Sequence, residues 1–144
     1  MPTSIQTIGA ELQEAFGVSP ERGHEVLNDH FDHAELEIFH IPEAPGDGRQ
    51  SLTRADVSRK SAGVAGLDRR VTVENVRQLG DDTLVLQRVV SGTLPDSTTF
   101  SFPVVSIFTI KGGRIVRVIE VESREMLDTL TAAFRQLGAL PASS

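Results

Sequence analysis

Hydrophobic positions in the first part of the chain recur at helical spacing. Ile5, Ile8, Leu12, Ala15 and Phe16 form one apolar stripe, and Gly17 marks its end. Ser19-Pro20 restarts a helix, with the serine as N-cap and the proline in the first turn, and Val26, Leu27 and Phe31 make its buried side. Over residues 34–41 (AELEIFHI) the period changes to two. Ala34, Leu36, Ile38 and His40 share one face, while Glu35, Glu37, Phe39 and Ile41 share the other. A Pro/Gly-rich loop, PEAPGDGRQS, follows. Thr53-Arg-Ala-Asp56 then has the form of a capping box that opens a small-residue helix to about Ala65.

Beyond that point the pattern is strand, turn, strand. The segments 71–79, 84–93, 98–110 and 114–122 are separated by Gly80-Asp81-Asp82, Leu94-Pro95-Asp96-Ser97 and Lys111-Gly112-Gly113. Turns this short join antiparallel neighbours. Ser123 caps a last helix carrying Met126, Leu127, Leu130, Phe134 and Leu137, closed by Gly138 and Pro141. The order predicts one α+β domain over residues 1–144: a curved, cone-shaped antiparallel sheet with helices packed on its concave face, enclosing a pocket.

Against this apolar pattern a few polar residues stand out. On the last strand Val116, Val118, Glu120 and Glu122 fall on one face, with Ile115, Ile119 and Val121 on the other. Glu120 is thus placed among apolar neighbours, where a carboxylate is costly unless something holds it. Arg88 interrupts the face of Leu84, Leu86 and Val90, and His40 that of Leu36 and Ile38. Ser106 is a weaker fourth, on the face of Phe102, Val104 and Phe108.

Converging on one cavity, Glu120, His40 and Arg88 make a candidate catalytic group, with Ile38, Leu86, Val90, Phe102, Val104, Ser106 and Val118 as the substrate-binding wall. The competing reading is a plain Arg88–Glu120 ion pair with His40 in water. Glu122, near the strand end, reads as solvated. The outward face with Val105, Ile107, Ile119 and Val121 suggests a homodimer through the sheet.

Composition narrows the class. With 144 residues, 39% apolar and 24% charged, the chain is an ordinary globular one. A net charge of −6 with no basic cluster argues against nucleic acid and anionic membranes. The absence of cysteine removes disulfides, thiolate metal sites and cysteine nucleophiles. Tyr and Trp are absent too, so any proton donor is His, a carboxyl, Ser, Thr, Lys or Arg.

No apolar run is long enough for a membrane span, and Met1-Pro-Thr-Ser does not begin a signal peptide; the expectation is cytoplasmic. His24, His30 and His33 cluster with Asp29 and Asp32. That segment reads as the polar end of a helix around Phe31 rather than a metal site. No Walker motif or G-x-S-x-G elbow occurs.

Three strings, AELEIFHIP…GDGR, GTLPDSTTFSFPVVSIFTIKGGRIVRVIE and RQLGALP, together with the element order, resemble the nuclear-transport-factor-2-like superfamily and especially its SnoaL-like branch, over about residues 5–140. The resemblance implies the cystatin-like fold and leaves the activity open, since the superfamily hosts isomerases, cyclases, hydrolases and binding modules. Matched to limonene epoxide hydrolase, the general-base Asp falls on Glu120 and the water-positioning Asn on His40, two residues before Pro42. The Arg-x-Asp pair falls on Arg88 and Val90, so the second acid is missing. Ketosteroid isomerase's oxyanion Tyr has no counterpart here, and its Asp falls on Ser106. SnoaL-type cyclases place an acid/base Asp close to Glu120 and need no cofactor. The resemblance therefore implies a cofactor-independent acid–base enzyme of the cyclase, isomerase or hydrolase type on an apolar small molecule, or a binding or dimerisation module of the same fold.

Overall fold

The computed structural model describes residues 4–44, 46–49 and 68–136. Helix α1 (Ile5–Val18) is capped by Ser4, whose side chain accepts from the Thr7 amide at 3.2 Å, and it buries the expected stripe from Ile5 to Phe16. Gly17 stays helical; the chain leaves the helix at Ser19, which is fully extended. Ser19 then caps α2 (Pro20–His30), accepting from the Arg22 amide at 3.0 Å. Helix α3 (Arg124–Gln136) is capped by Ser123, which accepts from the Met126 amide at 3.0 Å. The helix expected over 53–65, the side chain of Phe134, and Leu137 with its closing Gly138 and Pro141 lie outside the described residues.

Six strands form one open sheet: β1 (Glu37–Ile41), β2 (Gly48–Arg49), β3 (Asp68–Leu79), β4 (Thr83–Thr93), β5 (Thr99–Lys111) and β6 (Arg114–Val121), in spatial order β2-β1-β6-β5-β4-β3. The meander β3 to β6 is antiparallel throughout, as its short turns require. Gly112 and Gly113 turn the chain between β5 and β6 with φ of 61° and 76°, values an L side chain rarely adopts. The sheet as a whole is mixed rather than antiparallel, because β1 pairs parallel with β6. β1 turns back only into the short β2, with which it pairs antiparallel, and no tight turn joins it to β6, so it can meet the far edge of the meander in either sense.

Register aligns the polar residues. His40 faces Glu120, Glu120 faces Ser106, and Ser106 faces Leu86, one row across four strands. Near the start of β6 the pairing jumps from Thr109–Arg117 to Ile110–Ile115, so Val116 is an extra residue. This bulge overturns the simple alternation read from the sequence: Ile115 turns inward and is fully buried, bridging to Phe31 after α2.

The helices cover one face of the sheet in two patches. α1 and α2 pack Ile8, Leu12, Phe16 and Leu27 onto Leu84, Leu86, Phe108 and Val118. α3 packs Met126, Leu130 and Ala133 onto Val90, Phe100 and Val104. On the opposite face Val105, Ile107, Ile119 and Val121 are only half-buried.

Phe16, almost wholly buried, lies where α1 meets α2. A Cβ on Gly23 would stand 2.1 Å from the Phe16 ring. Gly23→Ala is therefore expected to destabilise the protein by about 1–3 kcal/mol, through overpacking of a ring with no room to withdraw. Urea unfolding checks this, and unchanged stability would mean that Phe16 has space to move.

Candidate functional site

Between the two apolar patches the sheet and helices leave a cavity of about 280 Å³. Val71, Val90 and Val104 form its sheet wall, and Met126, Leu127, Leu130 and Thr131 of α3 face them. Into this apolar space project His40, Arg88, Glu120 and Glu122 from one side and His24 and Arg69 from the other.

Arg88 is the most deeply buried charge, its side chain 7% exposed. One terminal nitrogen donates to Ser106 Oγ at 2.7 Å and to Glu120 Oε2 and Oε1 at 3.1 and 3.3 Å. Its guanidinium lies 5.0 Å from the centre of the Phe16 ring, a cation–π contact on the apolar side. Ser106 in turn donates to Glu120 Oε2 at 2.7 Å. Oε2 thus takes both short bonds and Oε1 only the long one, leaving Oε1 as the oxygen best able to meet a ligand. Glu120 is 17% exposed, the degree expected of a group lining a cavity.

His40 stands beside Glu120 in register but bonds elsewhere. Its Nδ1 meets Asp47 Oδ1 at 2.5 Å, while Asp47 Oδ2 accepts from the His40 and Ala44 amides at 2.8 and 3.3 Å. The His40 side-chain hydrogen bond is the largest of the effects holding the Asp47 carboxyl below its usual range. Such a dyad fixes the ring and leaves its second nitrogen for other work.

Glu122 behaves oppositely. Burial first, and then the charge of Glu120, push its carboxyl upward toward the protonated form. At the far side, burial first and then the charges of Arg69 and Arg88 bring His24 down to about 4. His24 also meets the Phe16 ring edge-on at 5.7 Å. Arg69 is lowered as well, chiefly by burial.

Of the residues expected from the sequence, Glu120, Arg88 and Ser106 form one hydrogen-bonded unit, with His40 on the same wall. Val90 and Val104 line the cavity. Leu86, Ser106 and Val118 lie beneath its surface in the sheet core, Ile38 packs against the α1–α2 patch, and Phe102 stacks on Phe100 beside the α3 patch. Sharing a strand face is not enough to reach the cavity, because the helices cover both ends of that face.

The residues missed are Asp47, Arg69, His24 and Glu122. Asp47 was hidden in a loop, and Arg69 precedes the strand start read at Val71. His24 was grouped with His30 and His33, but these separate: His30 pairs with Glu11 at 2.5 Å and His33 with the Asn28 carbonyl at 3.1 Å. Among the described residues no cluster of three or more His, Asp or Glu is placed to hold a metal.

The position of His24 gives a pH dependence. The folded chain holds its proton less tightly than the unfolded chain, so its stabilising effect is complete above pH 6.5 and declines as pH falls toward 4. The loss approaches about 3 kcal/mol at most. Glu122, shifted up, opposes this slope, because its protonated form favours the folded state at low pH. Urea midpoints between pH 6.5 and 4 are expected to fall in the parent and to fall less steeply in His24→Gln. Equal slopes in the two proteins would refute the buried, uncharged state of His24.

No family model matches the chain, and no curated protein matches it by sequence. Solved structures do match. A protein assigned as a SnoaL-like polyketide cyclase from Jannaschia sp. CCS1 superposes with a TM-score of 0.62 at 16% identity, covering 99% of this chain and 97% of its own. A hypothetical protein with a ketosteroid isomerase-like fold from Catenulispora acidiphila, in complex with trimethylamine, gives 0.60 at 18% identity over 92% and 95%. A nuclear-transport-factor-2-like protein of unknown function from Burkholderia pseudomallei gives 0.61 at 15% identity over 88% and 96%. With these neighbours and the open α+β sheet carrying helices on one face, the chain has the nuclear-transport-factor-2-like fold shared by SnoaL-like and ketosteroid isomerase-like proteins.

Proposed function

We propose that this protein is a cofactor-independent acid–base enzyme acting on a small, mainly apolar molecule, of the isomerase, cyclase or hydrolase type. One observation carries the reading: Glu120 lines an apolar cavity with its carboxylate oriented by Arg88 and Ser106, and Oε1 is the oxygen left with only the long bond. A second carboxyl on the same wall, Glu122, is pushed upward by burial.

Glu120 Oε1 takes a proton from carbon beside a carbonyl, and the electron pair moves to the carbonyl oxygen. Glu120 then returns that proton to another carbon of the enolate as the electron pair moves back from oxygen, which regenerates both carboxylate and carbonyl, with Glu122 and His40 on the same wall as candidate relays. Arg88 orients Glu120 and offsets the negative charge that develops nearby. The SnoaL-like cyclase and ketosteroid isomerase-like neighbours fit this class. A second reading, a carrier using the same cavity, draws on the fact that Arg88 and Glu120 already pair with one another at 3.1 Å, although the Arg88 Nε is buried without a partner among the described residues.

Solvent deuterium exchange at the acidic C–H of bicyclic ketones such as 2-tetralone tests the proposal. The parent is expected to accelerate exchange, and Glu120→Gln to slow it by roughly 10²–10⁴-fold. The same change leaves the Arg88 charge unpaired and is expected to cost about 3 kcal/mol of stability, recovered when Arg88→Met is added. Exchange undiminished in folded Glu120→Gln overturns the catalytic role, and binding without exchange favours the carrier.

We propose also that two copies associate through the outer face bearing Val105, Ile107, Ile119 and Val121, since these apolar side chains stand half-open on one chain. Light scattering at high micromolar concentration is expected to give about twice the 15.6 kDa chain mass, and a monomer refutes it.

A further inference from the structure

The positive charge in the cavity is not fully used by the acid–base group. Arg88 is engaged by Ser106 and Glu120, but Arg69 is not engaged in the same way. Its side chain is 11% exposed, and its Nε and Nη2 are buried with no hydrogen-bond partner among the described residues. Among the described residues its one ion-pair partner, Glu21 on α2, is 3.9 Å away and half-exposed, beyond hydrogen-bond reach.

Buried guanidinium nitrogens without acceptors are expensive, and folded proteins seldom keep them without cause. On the same cavity, the His24 Nδ1 is buried, with the Pro20 backbone as its one near polar group among the described residues. The neutral bias of His24, with Arg69 and Arg88 among its causes, reports positive potential at this end of the cavity.

Register sets the distance from the acid–base group. Arg69 faces Gly92 on β4, whereas Glu120 shares the row of Leu86 through Ser106. The six positions between Leu86 and Gly92 span roughly 20 Å of strand, a gap that the long side chains shorten from both ends. Val71, Val90 and Val104 occupy the wall between. The cavity thus offers a carboxylate held by Arg88, an apolar wall, and a second guanidinium, Arg69, which feels the charge of Arg88 but has no acid bonded to it among the described residues.

We propose, resting on the acid–base reading of this site, that its substrate is an amphipathic acid: an apolar ring body carrying a carboxylate or a comparably acidic oxygen, which Arg69 binds while the reactive carbon lies at Glu120. The planar fork of Arg69 can donate to two oxygens of a carboxylate, and the apolar wall fits the ring. Neutral His24 adds one polar contact and no competing anion.

The probes are 2-naphthoate and its neutral counterpart 2-naphthamide, followed by NMR with the His24 ring as reporter. Naphthoate is expected to bind the parent, to lose roughly tenfold or more in affinity in Arg69→Gln, and to lose little in Glu21→Gln. Arg69→Lys should keep part of the affinity. Saturation with naphthoate should raise the His24 titration midpoint, because the bound anion offsets Arg69, whereas naphthamide should bind more weakly and leave the midpoint in place.

Naphthoate that fails to bind at millimolar concentration, binds no better than naphthamide, or binds Arg69→Gln as tightly as the parent overturns the proposal. If Arg69→Gln does not fold, the acid-over-amide preference and the His24 midpoint in the parent decide it alone. Binding is read here without turnover, so its outcome is separate from that of the exchange assay on Glu120.

Discussion

A guanidinium buried between two apolar patches is the constraint on which this site depends. Arg88 cannot remain in the sheet interior unless its charge is met, and the surroundings supply a carboxylate, a hydroxyl and an aromatic face. Each partner comes from a different element: Glu120 from β6, Ser106 from β5 and Phe16 from α1. Satisfying this one group therefore ties the meander's register to the position of the first helix. A one-residue slip of β6 would move Glu120 to the other face and leave Arg88 unpaired. The bulge at Val116 matters for the same reason. It absorbs an irregularity near the β5–β6 turn while Phe108 and Ser106 stay opposite Val118 and Glu120.

Much of this was legible in the sequence, because helical and strand periods are local signals. Helices α1, α2 and α3, the serine caps of α2 and α3 and the four-strand meander follow from spacing and turn residues alone, whereas the Ser4 cap of α1 was not read. The convergence of Arg88, Ser106 and Glu120 was legible too, since short hairpin turns leave few registers for strands that each carry one polar residue on an apolar face. The parallel placement of β1 was not, for a strand that no tight turn joins to its partner carries no local mark of that partner.

The cavity's edges were also invisible to pattern. Leu86 and Val118 share their faces with Arg88 and Glu120, yet they lie under α1 and α2, while Val90 and Val104 face the opening. Which of two residues on one face is sealed depends on where a helix crosses, and that is set by long-range packing. Glu122 was misjudged in the same way: the end of a strand is solvated only if nothing packs over it, and here α3 begins immediately beyond. Arg69 and His24 each looked unremarkable in their own segments and acquire meaning only when α2 and β3 are brought to the same cavity.

The electrostatic layout explains why these polar groups need not collapse into a single ion cluster. Glu120 is held on the Arg88 side by two donors, and Glu122, lacking such donors among the described contacts, responds to burial and to Glu120 by favouring its proton. Asp47 is held by His40 and two backbone amides at the rim, so its charge stays local to the dyad. Arg69 lies beyond the valines of the wall, feels the charge of Arg88, and among the described residues has Glu21 at 3.9 Å as its nearest ion-pair partner. A protein selected for stability alone would gain by replacing these groups with packed hydrophobic side chains, as buried ion pairs often permit. Their retention on both sides of an apolar gap is the arrangement expected where a ligand completes the charge balance. On the proposed function, that unrealised free energy would serve as binding energy to orient a substrate against Glu120.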